Sequence, residues 1–154
     1  MKNSILFFLF LLPLTIFAQE DAFGPQKKDN LIIVITDTVD AGAFNKAVKC
    51  LIDMGFTIKS KNAGAGTIMT NDYNYKKGKL SLNMLVALNE IKIWGEFEPN
   101  LAFISGSDKP KTLRERISFI GVKGNADKEA WNTMDAFANQ FSQILKGTIS
   151  YAKW

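Results

Sequence analysis

The sequence predicts an α+β fold in which two helices pack on one face of an antiparallel sheet of about five to six strands. The expected order is strand, helix, several strands, helix. Three patterns support it: a helix followed by a hairpin over residues 40–70, alternating apolar residues over 80–88, and a long amphipathic helix between 125 and 147. A helix with one apolar stripe must bury that stripe against another element. The two helices are therefore expected on the same side of the sheet.

The first helix and its hairpin are marked by residues that start and stop such elements. Asp40 can accept hydrogen bonds from the free N–H groups that open a helix, and Gly55 ends it because glycine enters the left-handed region at little cost. Residues 56–59 alternate as a strand, 62–66 form a glycine turn, and 67–70 return as a second strand. The apolar stripe of this helix comprises Phe44, Ala47, Val48, Leu51, Ile52 and Met54.

Four further stretches are predicted to complete the sheet. The continuous apolar run 31–35 is typical of a central strand buried on both faces. Residues 80–88 and 91–98 alternate as two strands joined by a tight turn, and 117–122 resumes the sheet. We therefore expect the middle of the chain to form an antiparallel meander.

The C-terminal part combines an irregular stretch with the longest helix. Residues 99–115 read as a loop, within which 101–104 are a candidate edge strand. Asn125 is expected to cap the last helix and Gly147 to end it, and the aromatic residues of the tail 148–154 indicate that the tail docks on the domain. The apolar face of this helix comprises Trp131, Met134, Phe137, Ala138, Phe141, Ile144 and Leu145.

The first residues are typical of an export signal. A positive start precedes the apolar run 5–17, and Ala18 supplies the small residue before a cleavage site. The run is shorter than the roughly 20 residues that span a bilayer. The sequence predicts a signal peptide at 1–18, an N-terminal extension at 19–29 and a single α+β domain at 30–154. The product is expected in the periplasm or outside the cell, with no membrane span in the mature chain.

Several kinds of chemistry are disfavoured by composition. The chain has no histidine, which removes Ser-His and Cys-His catalysis and His-ligated zinc. Its one cysteine, Cys50, has no partner for a disulfide, is far from the cleavage site, and is expected to be an inert thiol in the first helix. The loose candidates for carboxylate catalysis are Asp72, Glu90, Glu96, Glu98 and Asp108. They read as solvated charges, so we predict neither an enzyme nor a cofactor.

A basic and aromatic cluster follows the hairpin. Lys76, Lys77 and Lys79 lie beside Tyr73 and Tyr75, and the net charge of +4 falls to +3 when Lys2 is removed with the signal. Such clusters attract anionic lipid headgroups or polysaccharide. Nucleic acid binds the same kind of surface, but an exported protein seldom meets it. The alternative is a solvated turn that protects a sheet edge.

Two functions from different classes fit these patterns. The first is a non-enzymatic envelope protein that binds another envelope protein, an anionic lipid or a polysaccharide through the open sheet face, an edge strand near 99–115 or the groove beside the long helix. The second is a small carrier that holds an apolar ligand between that helix and the strand of Leu82, Met84 and Val86. The candidate surface residues are Tyr73, Tyr75, Lys76, Lys77, Lys79, Trp94, Trp131, Phe137 and Phe141.

The hairpin unit also carries a family resemblance. The pattern Ala47-Val48-x-x-Leu51-x-x-x-Gly55-Phe56-x-Ile58, followed by Gly66-Thr67-Ile68, resembles the repeated domain of the outer-membrane assembly lipoprotein BamC. It is also similar to secreted domains of unknown function with a TBP-like or helix-grip fold that are common in Bacteroidota. The resemblance implies an envelope protein of β-α-β(n)-α build and transfers no catalytic residues. The chain differs from BamC in lacking a lipidated cysteine and a second domain.

Overall fold

A computed structural model of the protein describes residues 24–36, 42–75, 78–99, 114–119 and 126–154. This part of the chain contains two helices and one sheet. The helices are α1, Ala43–Asp53, and α2, Ala126–Leu145. The strands are β1 Leu31–Ile35, β2 Ile58–Asn62, β3 Thr67–Thr70, β4 Tyr73–Tyr75, β5 Gly78–Ala87, β6 Glu90–Pro99, β7 Glu115–Arg116 and β8 Thr148–Ala152.

The strands form one open antiparallel sheet, which confirms the predicted fold class. Its order is β2-β3-β5-β6-β1-β8, while β4 also pairs with β5, and β7 also pairs with β6. Strands β5 and β6 pair along their full length of 10 residues each and form the centre of the sheet. The sheet has 8 strands, more than expected. The unpredicted ones are β4, which is only 3 residues long, and β8, which lies in the tail.

Both helices pack on one face of the sheet, which we call the inner face. Helix α2 lies across β6, β1 and β8, and α1 packs beside it and against β2. From the strands, the core takes Ile32, Val34, Ile68, Leu80, Leu82, Met84, Ile91, Ile93 and Phe97. From the helices, it takes Ala47, Cys50, Leu51, Ala130, Trp131, Met134, Phe137, Ala138 and Phe141. The alternation of β5 and β6 thus places one apolar row of each strand under the helices.

The two helices end differently. Gly55 closes α1 with a φ of +88°, as predicted, and the Phe56 N–H returns to the Leu51 carbonyl. Helix α2 ends near Gly147 as expected, but the left-handed residue is Lys146, with a φ of +54°. Gly147 is required for another reason: a Cβ there would lie 2.6 Å from the Ile35 carbonyl oxygen. The expected cap Asp40 lies outside the described residues.

The first strand and the tail differ from expectation. On the inner face of β1, Ile32 and Val34 are buried, whereas on the other side Leu31 is buried, Ile33 is half-buried and Ile35 is exposed. Strand β1 is therefore fully buried on its outer side only at its first residue, because both helices lie on the inner face. Strand β1 lies inside the sheet, because β6 pairs with one of its edges and β8, formed by the tail, pairs with the other.

Part of the predicted C-terminal sheet cannot be compared. In place of a strand over 117–122, the structure has the short β7 at Glu115–Arg116, after which the Ile117 N–H bonds the Gly95 carbonyl at 2.9 Å. Residues 120–122, the candidate edge strand 101–104 and the predicted signal peptide lie outside the described residues.

Candidate ligand groove on the outer face of the sheet

The face of the sheet opposite the helices, the outer face, presents the polar row of each central strand. Asn83 of β5 lies directly between Met69 of β3 and Trp94 of β6, and Ser81 lies opposite Glu96. Neighbours on one face of an antiparallel pair have Cβ atoms about 4.5–5.5 Å apart, so these side chains contact one another. They form the floor of a groove that neither of the two described helices covers.

The groove opens where the ladder along β5 is interrupted. From Met69, opposite Asn83, to Tyr73, opposite Leu80, the chain takes four steps where β5 takes three. Asn71 and Asp72 occupy this extra length. The Leu82 N–H, which loses a backbone partner there, donates to Thr70 Oγ1 at 2.8 Å. The break therefore leaves no unpaired N–H and creates a recess in the sheet surface.

A second irregularity supplies one wall. Strand β2 shifts register between Ile58 and Ser60, so that Lys59 is the extra residue of a β-bulge. A bulge turns the direction of a side chain away from strict alternation. Lys59 is exposed and lines the groove, and its ammonium makes no contact with a described residue.

Arg114 joins the two sides of the groove. Its guanidinium donates to Asp72 Oδ1 and Glu96 Oε2, each at 2.8 Å, and to Ser81 Oγ at 2.5 Å. Burial acts to lower the pKa of Arg114, but the hydrogen bonds and charges of Asp72 and Glu96 outweigh it and raise the pKa above its ordinary value. The Arg114 side chain is 38% exposed, and ion pairs of this kind stabilise a fold by about 0–1 kcal/mol. Their main effect is to fix the two carboxylates in place.

The recess encloses about 320 Å³ and is lined by Lys59, Met69, Thr70, Asn71, Asp72, Ser81, Asn83, Glu96 and Arg114. Asn83 is its least accommodated residue. It is only 6% exposed, yet its amide makes no hydrogen bond to any described residue. Buried polar side chains nearly always have a partner in folded proteins. Since the amide lines the groove, its open side faces the recess.

An aromatic pair flanks the groove at Trp94. The ring of Trp94 is half-buried and meets that of Trp154 edge-on, with centroids 4.8 Å apart. The guanidinium of Arg116 lies 4.9 Å from the centroid of Trp154, in the geometry of a cation–π contact. The backbone N–H of Trp154 donates to Asn30 Oδ1 at 2.7 Å, which ties the tail to the start of β1. Trp94 is thus the one aromatic candidate that the structure places beside the groove.

The predicted basic cluster is only partly brought together. Tyr73 packs on Phe56 with ring centroids 4.9 Å apart, and Tyr75 packs on Phe97 at 6.0 Å. Lys79 is exposed, and Lys76 and Lys77 lie outside the described residues.

Tyr75 and Lys79 line a smaller recess of about 170 Å³ with Asn74, Gly78, Glu98 and Pro99. Burial, then the charges of Glu129 and Asp127, raise the pKa of Tyr75 well above its ordinary value. Its phenol is therefore neutral at physiological pH, and the two tyrosines act mainly as packing residues.

The remaining aromatic candidates belong to the core. Trp131, Phe137 and Phe141 are fully buried between α2 and the sheet, and the rings of Phe137 and Phe141 stack with centroids 5.9 Å apart. Neither recess described above is lined by them. As side chains they are not available at the surface. The wall proposed for a lipid carrier is therefore filled by its own residues.

The residues that build the groove were mostly missed from sequence. Ser81 and Asn83 look like ordinary solvent-facing positions of an alternating strand, and Arg114 looks like part of a basic loop. Asp72 and Glu96 were named only as loose carboxylate candidates. The pairing of these residues depends on the register of β3, β4 and β6 with β5, which local patterns do not encode. The one usable signal is an asparagine in the middle of a strand, where this residue is depleted.

The described part of the groove presents hydrogen-bonding groups and no thiol. Both of its carboxylates are held by Arg114. Cys50 lies on the other side of the sheet, buried in α1, where burial and then Asp53 raise the pKa of the thiol against the smaller opposing effect of Lys49. Among the residues that the structure describes, no group of three or more Cys, Asp or Glu is placed to hold a metal ion.

Comparison with known proteins does not identify a family. The sequence matches no protein-family model, and no curated protein is significantly similar to it. Within the described ranges, neither helix is both long and apolar enough to cross a membrane.

Proposed function

We propose that this protein is an exported, non-enzymatic binding module of the cell envelope that holds its partner on the outer face of the sheet. The observation that carries the proposal is the amide of Asn83, a residue only 6% exposed, which opens into the recess and has no hydrogen-bond partner among the described residues. Export is supported by the sequence of residues 1–18 alone. The partner classes consistent with this proposal are an envelope protein, a polysaccharide and an anionic lipid.

The contrast between the two sides of the sheet supports a surface site over an internal one. A carrier needs a cavity beside α2, where Phe137 and Phe141 instead fill the space and stack on each other. Ligand pockets begin at about 300 Å³, and the recess on the outer face reaches about 320 Å³. The kinship proposed with BamC-like or helix-grip domains of Bacteroidota is supported by the shared order of elements, and such an envelope protein would use its uncovered face.

Export is tested by fusing residues 1–29 to alkaline phosphatase, which requires disulfides and is active only outside the reducing cytoplasm. We expect activity in a Gram-negative host, with the mature N-terminus at Gln19 by mass spectrometry. A fusion that begins at residue 19 is the matched control and should be inactive. Equal activity from both fusions would contradict export.

The binding face is tested with a photo-crosslinking amino acid placed in living cells. Met69, exposed beside the groove, is compared with Gln140, exposed on the solvent side of α2. We expect a defined adduct from position 69 and none from position 140. Adducts that form equally from both positions, or only from 140, would overturn the proposed outer-face site.

A further inference from the structure

We infer that the groove over Asn83 binds a neutral saccharide unit, recognised by the Asn83 amide and the residues around Arg114. This inference rests on the proposed function and assigns a ligand class to the same outer-face site. It goes beyond a generic binding surface because the recess contains the amide of a mostly buried residue, which opens into the recess and has no partner within the described residues.

The inference begins with the side-chain amide of Asn83 on the floor of the recess. The residue is only 6% exposed, and its amide atoms are the accessible part, since no buried side-chain N or O atom of the described residues lacks a hydrogen-bond partner. The amide therefore opens into the recess, between Met69 and Trp94. An amide presents one donor group and one acceptor in the same plane. A group that both accepts and donates at neighbouring atoms, such as a pair of sugar hydroxyls, would satisfy it.

The surrounding groups extend the same pattern. Ser81 Oγ accepts from Arg114, which leaves the hydroxyl hydrogen free to donate. Asp72 and Glu96 each give one oxygen to Arg114 and keep the other as an acceptor. Lys59 adds a donor at the rim. The recess thus alternates donors and acceptors over a short distance, as a polyhydroxylated ligand requires.

Charge and size exclude other polar ligands. Within the described residues, the lining has two cations, Lys59 and Arg114, and two carboxylates, Asp72 and Glu96, whose formal charges balance. An anionic headgroup or phosphate would meet these carboxylates at close range and be repelled. A recess of about 320 Å³ lies at the small end of ligand pockets. It fits one or two sugar rings.

Position on the sheet argues against a peptide. An extended peptide gains most of its affinity by pairing with a free strand edge. The groove lies instead over β5, whose backbone groups pair with β3 and β4 on one side and β6 on the other. Recognition there depends on side chains alone. Trp94, next to Asn83 on β6, adds an aromatic surface for the apolar face of a sugar ring.

The inference is tested by NMR titration of the ¹⁵N-labelled exported protein with maltose, cellobiose and N,N′-diacetylchitobiose, each to about 10 mM so that millimolar complexes are detected. Inorganic phosphate is titrated in parallel. We expect at least one neutral disaccharide to shift the Asn83 side-chain amide and the Ser81 and Glu96 backbone amides with saturation. The same affinity is expected at low and high salt, because a neutral ligand is not screened.

Two variants separate a ligand contact from a structural role. Asn83→Leu keeps the branched shape and the number of heavy atoms and removes the amide, so it should weaken binding at least tenfold with little change in the melting temperature. Ser150→Ala, exposed on the outer face of β8 away from the groove, should leave both unchanged. A lower melting temperature with unchanged binding would make Asn83 a structural residue and overturn the inference.

The remaining outcomes separate failure of the saccharide assignment from failure of the proposed function. Saturable shifts with phosphate alone, or with none of these probes, would overturn the saccharide assignment. The proposed function would survive that result if the crosslinker at Met69, but not at Gln140, still captures a defined protein or lipid. Loss of both the titration shifts and the Met69 adduct would remove the proposed function as well.

Discussion

On the inner side of β5, Leu80, Leu82 and Met84 are buried under the helices, and on its outer side Ser81 and Asn83 are almost equally buried with no helix above them. The first set is buried by a whole layer of the fold. The second is buried by neighbouring side chains and a break in the ladder. Burial on the inner side stabilises the protein, whereas the outer amide opens into a recess without a protein partner among the described residues, and this difference is the basis for proposing the outer side as the binding site.

The largest loss of stability is expected when a large side chain is removed from the core on the inner face. Phe141→Ala removes a fully buried ring that stacks on Phe137, and large-to-small changes of this kind cost about 3–5 kcal/mol of unfolding free energy. Urea denaturation measures the loss. Ile144→Ala, three residues along the same helix and 44% exposed, should cost less than about 1 kcal/mol. Similar losses for both variants would show that α2 is not anchored through its inner face.

A second test concerns the close packing of β6 against the residue that follows β7. A Cβ on Gly95 would lie 2.5 Å from Ile117 Cδ1 and 3.1 Å from the Ser81 carbonyl oxygen. Since Ile117 is 1% exposed and has no room to move, Gly95→Ala should destabilise by about 1–3 kcal/mol through overpacking.

Two further variants check this cause. Ile117→Val, which lacks Cδ1, should recover part of the loss when combined with Gly95→Ala, as a coupling energy in a double-mutant cycle. Gly64→Ala is the control, because its Cβ meets only Asn62 Oδ1 at 3.5 Å. A neutral Gly95→Ala would show that β7 is free to shift away from β6.

A smaller loss of stability is expected from removing the partly buried hydrogen bond between β8 and α2. The Tyr151 hydroxyl donates to Asp135 Oδ1 at 2.9 Å, which ties β8 to α2. Tyr151→Phe should lose about 1 kcal/mol. Burial, and then the bond to Asp135, raises the pKa of Tyr151 from 10.0 to about 12.

The sign of the pH dependence follows from this raised pKa. The folded state keeps the phenol proton longer than the unfolded state, so the contribution is complete below about pH 10 and is lost as the pH rises towards 12. Denaturation between pH 9 and about 12 should therefore show a steeper fall for the natural protein than for Tyr151→Phe. The raised pKa of Tyr75 acts in both proteins and cancels. Parallel curves would indicate that the pKa of Tyr151 is not raised in the folded protein.

The smallest stability effect is expected on the outer side. Arg114→Gln removes the two ion pairs to Asp72 and Glu96, but these are half in water, so the loss should stay below about 1 kcal/mol. Lys49→Gln, which removes the exposed pair with Asp53 on α1, is the matched control. A loss above about 2 kcal/mol for Arg114→Gln would make the groove part of the structural core and weaken the contrast between the two sides.

The elements that form the inner face could be predicted from the sequence. The apolar period of α1 and α2, the alternation of β5 and β6, and the left-handed Gly55 are local signals, and each produced an element that the structure contains. The number of strands was underestimated because β4 has only 3 residues and β8 lies in the tail after the last helix. Their pairing depends on β5 and β1, which lie elsewhere in the sequence.

The outer side was not accessible to the same reasoning. Its groove depends on a one-residue difference in length between the β3–β4 segment and β5, on a bulge at Lys59, and on the approach of Arg114 from a distant part of the chain. None of these leaves a period or a motif. The aromatic residues chosen from composition, Trp131, Phe137 and Phe141, were instead those that the core requires. Large aromatic residues mark a core more often than a surface site.

The pairing of β1 with β8 also affects when this fold can form. Ile33 pairs with Ser150, so the first strand of the sheet acquires one of its two neighbours only after the rest of the domain has been synthesised. Contacts between distant parts of a chain slow folding because a long loop must close first. Until β8 arrives, β1 has an unpaired edge and α2 lacks one of the strands on which it lies. The pairing that completes the sheet around β1 is thus among the last to become available during synthesis.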